Sequence, residues 1–282
     1  MTSFRTEPIS DEIGARIFTS ADHLLAEQVP EQIMQCLNRY GVLLFPQISA
    51  SDETLAALSN RLGDMEAARV TADGSAANKL GLYRISADKQ DKAQQEYVAG
   101  NNFWHMDGTS YRIPGKATML KCESPPAEGG ETEFANLFAA YDALPEERKR
   151  ALDGLIVVHS MHAVMSKLYA EPLQEDIDRW NAVFPPNEHP LVWSHLDGRR
   201  SLVIGSTAAG IAGWDEAEGR ALLEELLDWC TQARFTYQHV WQKGDMVIFN
   251  NPGLLHRSRP YDEASGRVLH RATVKGVEAI RA

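Results

Sequence analysis

The chain has 282 residues, with 28 Lys plus Arg against 39 Asp plus Glu and a formal net charge of −11. Hydrophobic residues make up 44%, enough for one buried core, so global disorder is excluded, and the acidic balance argues against a nucleic-acid partner. No apolar run approaches the ~18–20 residues of a membrane span, and the opening MTSFRTEPISDEIGARIF lacks the apolar stretch of a signal peptide. Cys36, Cys122 and Cys230, odd in number and far apart, suit free thiols. The expectation is a cytoplasmic protein with a small-molecule partner, no nucleic acid and no membrane.

In chain order, a helix is expected over 30–40, opened by Pro30 and stopped by Gly41, then a buried strand VLLF at 42–45. A second helix runs over 51–62, with Ser51 as its cap and Gly63 as its stop. This helical N-terminal part, about 1–65, leads into polar, lid-like loops at about 66–102 around one strand, KLGLYRIS (79–86). After Trp104 short β-type runs recur: ATMLKC (117–122), TEFA (132–135), LIVVHS (155–160), HPLVWSH (189–195), SLVIG (201–205), FTYQHVW (235–241), MVIFN (246–250) and RVLHRATV (267–274). Helical stretches interrupt them around 136–152 and 215–233. Many short strands between turn signals argue for a sandwich or barrel over a βαβ array. The segment 161–188 has no strand pattern but carries Met165, Trp180 and Phe184, and reads as a second lid-like loop. No linker divides the chain, so a single domain over 1–282 is expected, mainly β with flanking helices.

Two of the nine histidines begin an H-x-D triplet, where 17 Asp in 282 residues give about 0.5 by chance. His195-Leu196-Asp197 is explained by a hairpin, because Asp197-Gly198 is a turn dipeptide between two strands. His105-Met106-Asp107 has no such local explanation. On a strand both side chains would face the same way, able to share one metal ion with a third ligand from elsewhere. Two histidines and one carboxylate are the set of non-haem Fe(II) oxygenases. The competing reading is a partly buried His with a nearby Asp.

The C-terminal run from Asn250 to Gly276 reads as a strand ending near His256, a turn, and a returning strand from Arg267. Arg267, Leu269, Arg271 and Thr273 share one face of it, while His270 on the other face could be ordinary packing. Buried in a barrel, two guanidiniums would need an anion, and a dicarboxylate supplies two charges. On an exposed edge strand they would simply be solvated.

The residues Trp104-His105-Met106-Asp107, Gly129-Gly130-Glu131-Thr132, His189-Pro190-Leu191-Val192, Val240-Trp241, Gly244-Asp245, His256, Arg267 and Arg271 together resemble the taurine dioxygenase and phenoxyacetate dioxygenase family of Fe(II)/2-oxoglutarate oxygenases. Thr132 lies 25 residues after Asp107, and Arg267 and Arg271 lie 11 and 15 after His256, each similar to the family's interval. The likeness runs from about Asn101 to Gly276, the first hundred residues being only loosely similar, and 184–262 looks closer to the phenoxyacetate branch.

The resemblance implies a double-stranded β-helix (jelly-roll, cupin-like) core and a hydroxylase-type dioxygenase whose cofactors are Fe(II), 2-oxoglutarate and O2. It implies His105, Asp107 and His256 as metal ligands and catalytic centre, and Thr132 and Arg267 for the distal carboxylate of 2-oxoglutarate. Arg271 would face the iron-bound carboxylate and an acidic substrate, and Asn101 and Gly108 would line the substrate site. The reaction implied is oxidation of an unactivated C–H bond of a small, partly apolar and in some members anionic molecule, yielding succinate and CO2. Oxidative ether or sulfonate cleavage follows by the same chemistry. A homodimer or homotetramer is favoured. The chain departs from the family at Asn250, usually Asp, which would change a supporting hydrogen bond, and at Ser110, usually aromatic and near the expected pocket, where the change bears on the substrate. Two readings from other classes remain: a zinc hydrolase, which leaves Arg267 and Arg271 unexplained, and a metal-free carboxylate-binding barrel, which leaves the His/Asp cluster unexplained.

Overall fold

A strand buried at every position needs cover on both faces, and two strands here, Val42–Phe45 and Met246–Asn250, are of that kind. Both lie in a seven-stranded sheet of the computed structural model, which describes residues 4–66, 78–86 and 92–282. Its order is Arg5–Pro8, Ala15–Phe18, Val42–Phe45, Met246–Asn250, Ala117–Ser124, Val268–Val274 and Tyr83–Ile85. Alternation divides the strand residues between two cores. Leu43, Met119, Met246, Ile248, Ala272 and Val274 pack outward under the helices Val29–Tyr40 and Asp52–Leu62. Leu120, Cys122, Val247, Phe249 and Leu269 pack inward against Phe134 and Leu254 of a second, three-stranded sheet.

That second sheet places Thr132–Asn136 between Thr236–His239 and Leu254–Ser258, all antiparallel. A third sheet (Ala208–Ile211, Ile156–His159, Asn187–Pro190) and the hairpin Val192–Ser194/Arg200–Leu202 pack with the helix Glu216–Cys230 around another apolar cluster. Among the described residues no helix is long and apolar enough to cross a membrane.

The expected helices form where the caps put them. Pro30 sits in the first turn of Val29–Tyr40, Gly41 follows its end at φ +73°, and Ser51 Oγ accepts from Thr54 N at 3.1 Å. The Asp197-Gly198 hairpin also forms, and His195 beside it is buried against Trp193 and hydrogen-bonded to Ser201.

Several expectations need correction. The first 65 residues are not only helical. Arg5–Pro8 and Ala15–Phe18 are strands, four residues each, too short to show a period; Ala15–Phe18 is held by pairing to Val42–Phe45, and Arg5–Pro8 by pairing to Ala15–Phe18. Within 79–86 only Tyr83–Ile85 is strand, because Asn78 Oδ1 accepts from Leu80 N and Leu82 N and turns the chain. The expected loops at 66–102 lie partly outside the described residues, at 67–77 and 87–91, and end in a helix, Lys92–Gly100. The other lid-like loop, 161–188, is largely helical as well. Met161–Met165 is started by Ser160, whose hydroxyl accepts from Ala163 N, and Gln174–Val183 follows. The run 189–195 divides at Leu191 between two sheets.

Candidate active site

His256 stands on the strand Leu254–Ser258, and His105 pairs with it through two backbone hydrogen bonds of 3.0 and 2.9 Å. His105 and Asp107 are therefore not two residues of one strand. His105 makes an isolated bridge, and Asp107 opens the turn that follows. The bridge sets the imidazoles side by side, with ring centroids 4.1 Å apart, and the turn brings the Asp107 carboxylate to 3.9 Å from His105 Nε2 and 3.8 Å from His256 Nε2. One ligand atom from each lies within 4.8 Å of the other two. His105 Nδ1 donates to the Phe103 carbonyl at 2.8 Å, leaving its Nε2 lone pair turned to the cluster.

Burial pushes both imidazoles down, His256 to about 3, with His105 and Arg271 adding to the effect there. Burial alone would raise the Asp107 carboxyl, but Arg271, then His256 and His105, hold it well below the usual carboxylate range. Arg271 donates directly to Asp107 Oδ2. Two neutral imidazoles and one carboxylate form a ligand set that is deprotonated before any divalent ion arrives.

Beside this cluster a cavity of about 50 Å³ is lined by His256, Thr118, Leu120, Thr132, Arg267 and Arg271. The period-2 face of the returning strand therefore points inward. Arg267 is 4% exposed, and among the described residues its anchors are the Gly130 carbonyl at 3.1 Å and the Tyr261 ring and hydroxyl. Its Nε has no hydrogen-bond partner and no carboxylate pairs with it among the described residues. Burial consequently pushes its pKa down. Gly130, at φ +67°, makes room for it, since a Cβ there would lie 3.0 Å from Arg267 Nε. A buried guanidinium with an unused donor, in a cavity that opens on the metal-ligand cluster, fits a ligand bearing an anionic end.

A second cavity, about 160 Å³, opens on the other side of His105 and Asp107. Its wall is apolar at Met161, Val164, Met165, Trp180 and Val183, on the helices Met161–Met165 and Gln174–Val183. Glu96, on the helix Lys92–Gly100, ties this wall together. Arg179 forks onto its carboxylate at 2.9 and 3.0 Å and also reaches Asp176, while Trp180 Nε1 donates to Glu96 Oε2 at 3.2 Å. Burial would raise the Glu96 carboxyl, but these donors hold it below its ordinary value. Thr207 adds a polar point to the cavity, held by His159 Nδ1 at 2.8 Å and Thr109 at 3.0 Å.

The structure thus gathers His105, Asp107, His256, Thr132, Arg267 and Arg271 in one place, and Asn101 lines both cavities. Gly108 does not line either one. Its α-carbon faces Pro114, and its φ of +84° marks it as a turn residue. Ser110 and Asn250 also lie off both linings. Of the aromatic and methionine residues expected in a lid, Met165 and Trp180 face the cavity, whereas Phe184 is buried elsewhere. His270 belongs to a polar cluster on the outer face of the main sheet, with Asp52 2.7 Å from its Nδ1 and Lys121 between Asp52 and Glu123. Glu96, Arg179 and Thr207 escaped the sequence reading. Glu96 and Arg179 are 83 residues apart, and no local spacing announces an ion pair across that distance.

A family model described as "Taurine catabolism dioxygenase TauD, TfdA family" matches residues 5–273, so the likeness begins well before Asn101. The chain is 34% identical over 250 residues to the alpha-ketoglutarate-dependent 2,4-dichlorophenoxyacetate dioxygenase of Burkholderia sp. (strain RASC), covering 85% of this chain and 83% of that one. It is 33% identical over 246 residues to the (S)-phenoxypropionate/alpha-ketoglutarate-dioxygenase of Sphingobium herbicidovorans, covering 84% and 83%. The crystal structure of AAD-2 in complex with Mn(II) and N-oxalylglycine superposes with a TM-score of 0.83 at 28% identity, covering 99% of this chain and 100% of that one.

Proposed function

Since the chain belongs to the TauD/TfdA dioxygenase family, we propose that it oxidises a C–H bond next to oxygen in a small anionic molecule with an apolar body, of the aryl ether acid type. It is an alpha-ketoglutarate-dependent dioxygenase, and the family uses Fe(II), 2-oxoglutarate and O2. In this reading His105, Asp107 and His256 hold the iron, which, when bound with 2-oxoglutarate and O2, supplies the oxidising power while the co-substrate becomes succinate and CO2. Arg267 and the Thr132 hydroxyl take the distal carboxylate of 2-oxoglutarate. Arg271 keeps Asp107 ionised and oriented, and orders the carboxylates around it.

The observation that carries the substrate class is the separate 160 Å³ cavity, apolar on its helical wall and open at its floor on His105 and Asp107. An apolar body seated there puts its nearest carbon at the ligand cluster. Hydroxylation of a carbon bearing an ether oxygen gives a hemiacetal that falls apart to a carbonyl and an alcohol or phenol. Relatives named for 2,4-dichlorophenoxyacetate and phenoxypropionate support this class. A zinc hydrolase on the same three ligands would leave the buried Arg267 without a role. We also infer that the two facing sheets form a jelly roll, and that the chain assembles as a dimer or tetramer, which light scattering checks.

The test begins without oxygen, with Fe(II) and 2-oxoglutarate added to the protein. A weak visible charge-transfer band is expected from the chelate. Succinate release is then followed against aryloxyalkanoates, alkyl sulfonates and alkyl sulfates. Release and a phenol product with aryloxyalkanoates support the reading. Release only with the sulfur compounds would overturn the substrate class, and a missing band would overturn the roles of the triad.

A further inference from the structure

Thr132 lies 4% exposed at the start of its strand and lines the arginine cavity. Trp241 Nε1 donates to Thr132 Oγ1 at 2.9 Å. An indole N–H can only donate, so this bond occupies a lone pair of Oγ1 and cannot take its proton. No other acceptor among the described residues takes that proton either. The neighbouring polar group, Arg267, also offers nothing but donors, its Nε is unpaired, and the Gly130 carbonyl is already engaged by its terminal nitrogen. This end of the cavity therefore presents O–H and N–H groups to whatever enters.

The indole has little freedom to turn away. Trp241 is 5% exposed, and its ring meets His239 edge-on at 4.5 Å. His239 is hydrogen-bonded to the Tyr237 hydroxyl at 3.1 Å and lies 3.1 Å from Asp245, which accepts backbone bonds from Gln47 and Gln242.

We propose that Trp241 is a positioning residue for the co-substrate: by donating to Thr132 it fixes the hydroxyl as a donor, so the cavity accepts the distal group of a 2-oxo acid as an ionised carboxylate and discriminates against neutral-ended 2-oxo acids. The inference rests on the reading of Arg267 and Thr132 as the seat of that carboxylate. Without the indole bond the hydroxyl can rotate and offer a lone pair instead, which repels the carboxylate oxygen.

The experiment is a calorimetric titration of Mn(II)-loaded, oxygen-free protein with 2-oxoglutarate and with 2-oxovalerate, which has the same chain length but no distal carboxylate. W241F should weaken 2-oxoglutarate about five- to tenfold and leave 2-oxovalerate within about twofold. T132V should lose a similar factor, T132S should keep the dependence on Trp241, and W241F added to T132V should cost little more. In turnover the loss should appear in the apparent KM for 2-oxoglutarate and not in kcat. Equal weakening of both ligands, or losses that add in the double variant, would overturn the proposal. R267M keeps the underlying reading separate. Undiminished 2-oxoglutarate affinity in R267M means that the carboxylate seat is elsewhere. Loss in R267M with none in W241F refutes the role of Trp241 alone.

Discussion

On one side of His105 the wall is β-strand, and one of its two guanidiniums, Arg267, is buried with no carboxylate beside it among the described residues. On the other side the wall is helical, and its guanidinium, Arg179, is held by both Glu96 and Asp176. The first arrangement is unfavourable until an anion arrives, because a desolvated cation keeps its cost until it is paired. The second is complete within the fold and contributes rigidity. A buried charge left open marks a binding site, and one already closed marks a structural tie, although both are arginines lining a cavity next to the same metal-ligand cluster.

The largest expected effect removes the floor that the two cavities share. His256→Ala should abolish turnover, and with it the Mn(II)-dependent binding of 2-oxoglutarate, because two ligands then remain of three. Residual turnover within about tenfold of the unaltered protein would break the assignment. The helical wall should be untouched, so the hydrogen-exchange protection of residues 92–100 should not change.

A smaller effect attacks the closed arginine. Glu96→Ala takes from Arg179 the carboxylate it forks onto, leaving it beside Asp176, and should cost about 2 kcal/mol, low for a buried pair because Arg179 is 37% exposed. Exchange of the 92–100 amides should speed up, and the apolar cavity should loosen while 2-oxoglutarate affinity holds. The sign with pH follows from the direction of the Glu96 shift. Its folded carboxyl sits below the ordinary 4.5, so its contribution is present above that value and is lost as pH falls through the folded pKa. Melting temperatures of the unaltered protein and Glu96→Gln, compared from about pH 7 downwards, should differ most near neutrality and converge below about pH 4.5. A gap that widens in acid would refute the tie.

The two walls also differed in how far the sequence disclosed them. Arg267, Leu269 and Arg271 declare a face because strand alternation is a local rule, and the same holds for the Asp197-Gly198 hairpin and the Ser51 cap. The triad was legible as residue types and spacings, yet its mechanics were not. His105 owes its orientation to a backbone bridge with His256, across 151 residues, and not to a shared strand with Asp107. The helical wall was hidden for the same reason in stronger form. The 161–188 segment mixes Met, Tyr and Trp without a clean period, and its helices are held by contacts to Glu96 and to each other. The two N-terminal strands, at four residues each, depend on a neighbour already in place.

The sharpest contrast between the arginines comes from the smallest effect, because its sign is opposite to intuition. Arg267→Met replaces a buried, half-satisfied cation by an apolar chain of similar length. It gives up one bond to the Gly130 carbonyl and the contact with Tyr261, but it also removes the desolvation cost of the charge and an unpaired Nε. The ligand-free variant should therefore be more stable than the unaltered protein by about 1 kcal/mol, a rise of about 2–4 °C in melting temperature. Adding 2-oxoglutarate with Mn(II) should reverse the order, since ligand at about 100 times its Kd contributes about 2.7 kcal/mol to the protein that binds it. The same exchange at Arg179 has no such crossing: Arg179→Met takes the forked guanidinium away from the buried Glu96 and should be destabilising at every ligand concentration. Melting curves of both variants across a 2-oxoglutarate series decide the matter. An Arg267→Met protein that melts below the unaltered one without ligand would mean that Arg267, too, is a structural tie, and the distinction between the two walls would fail.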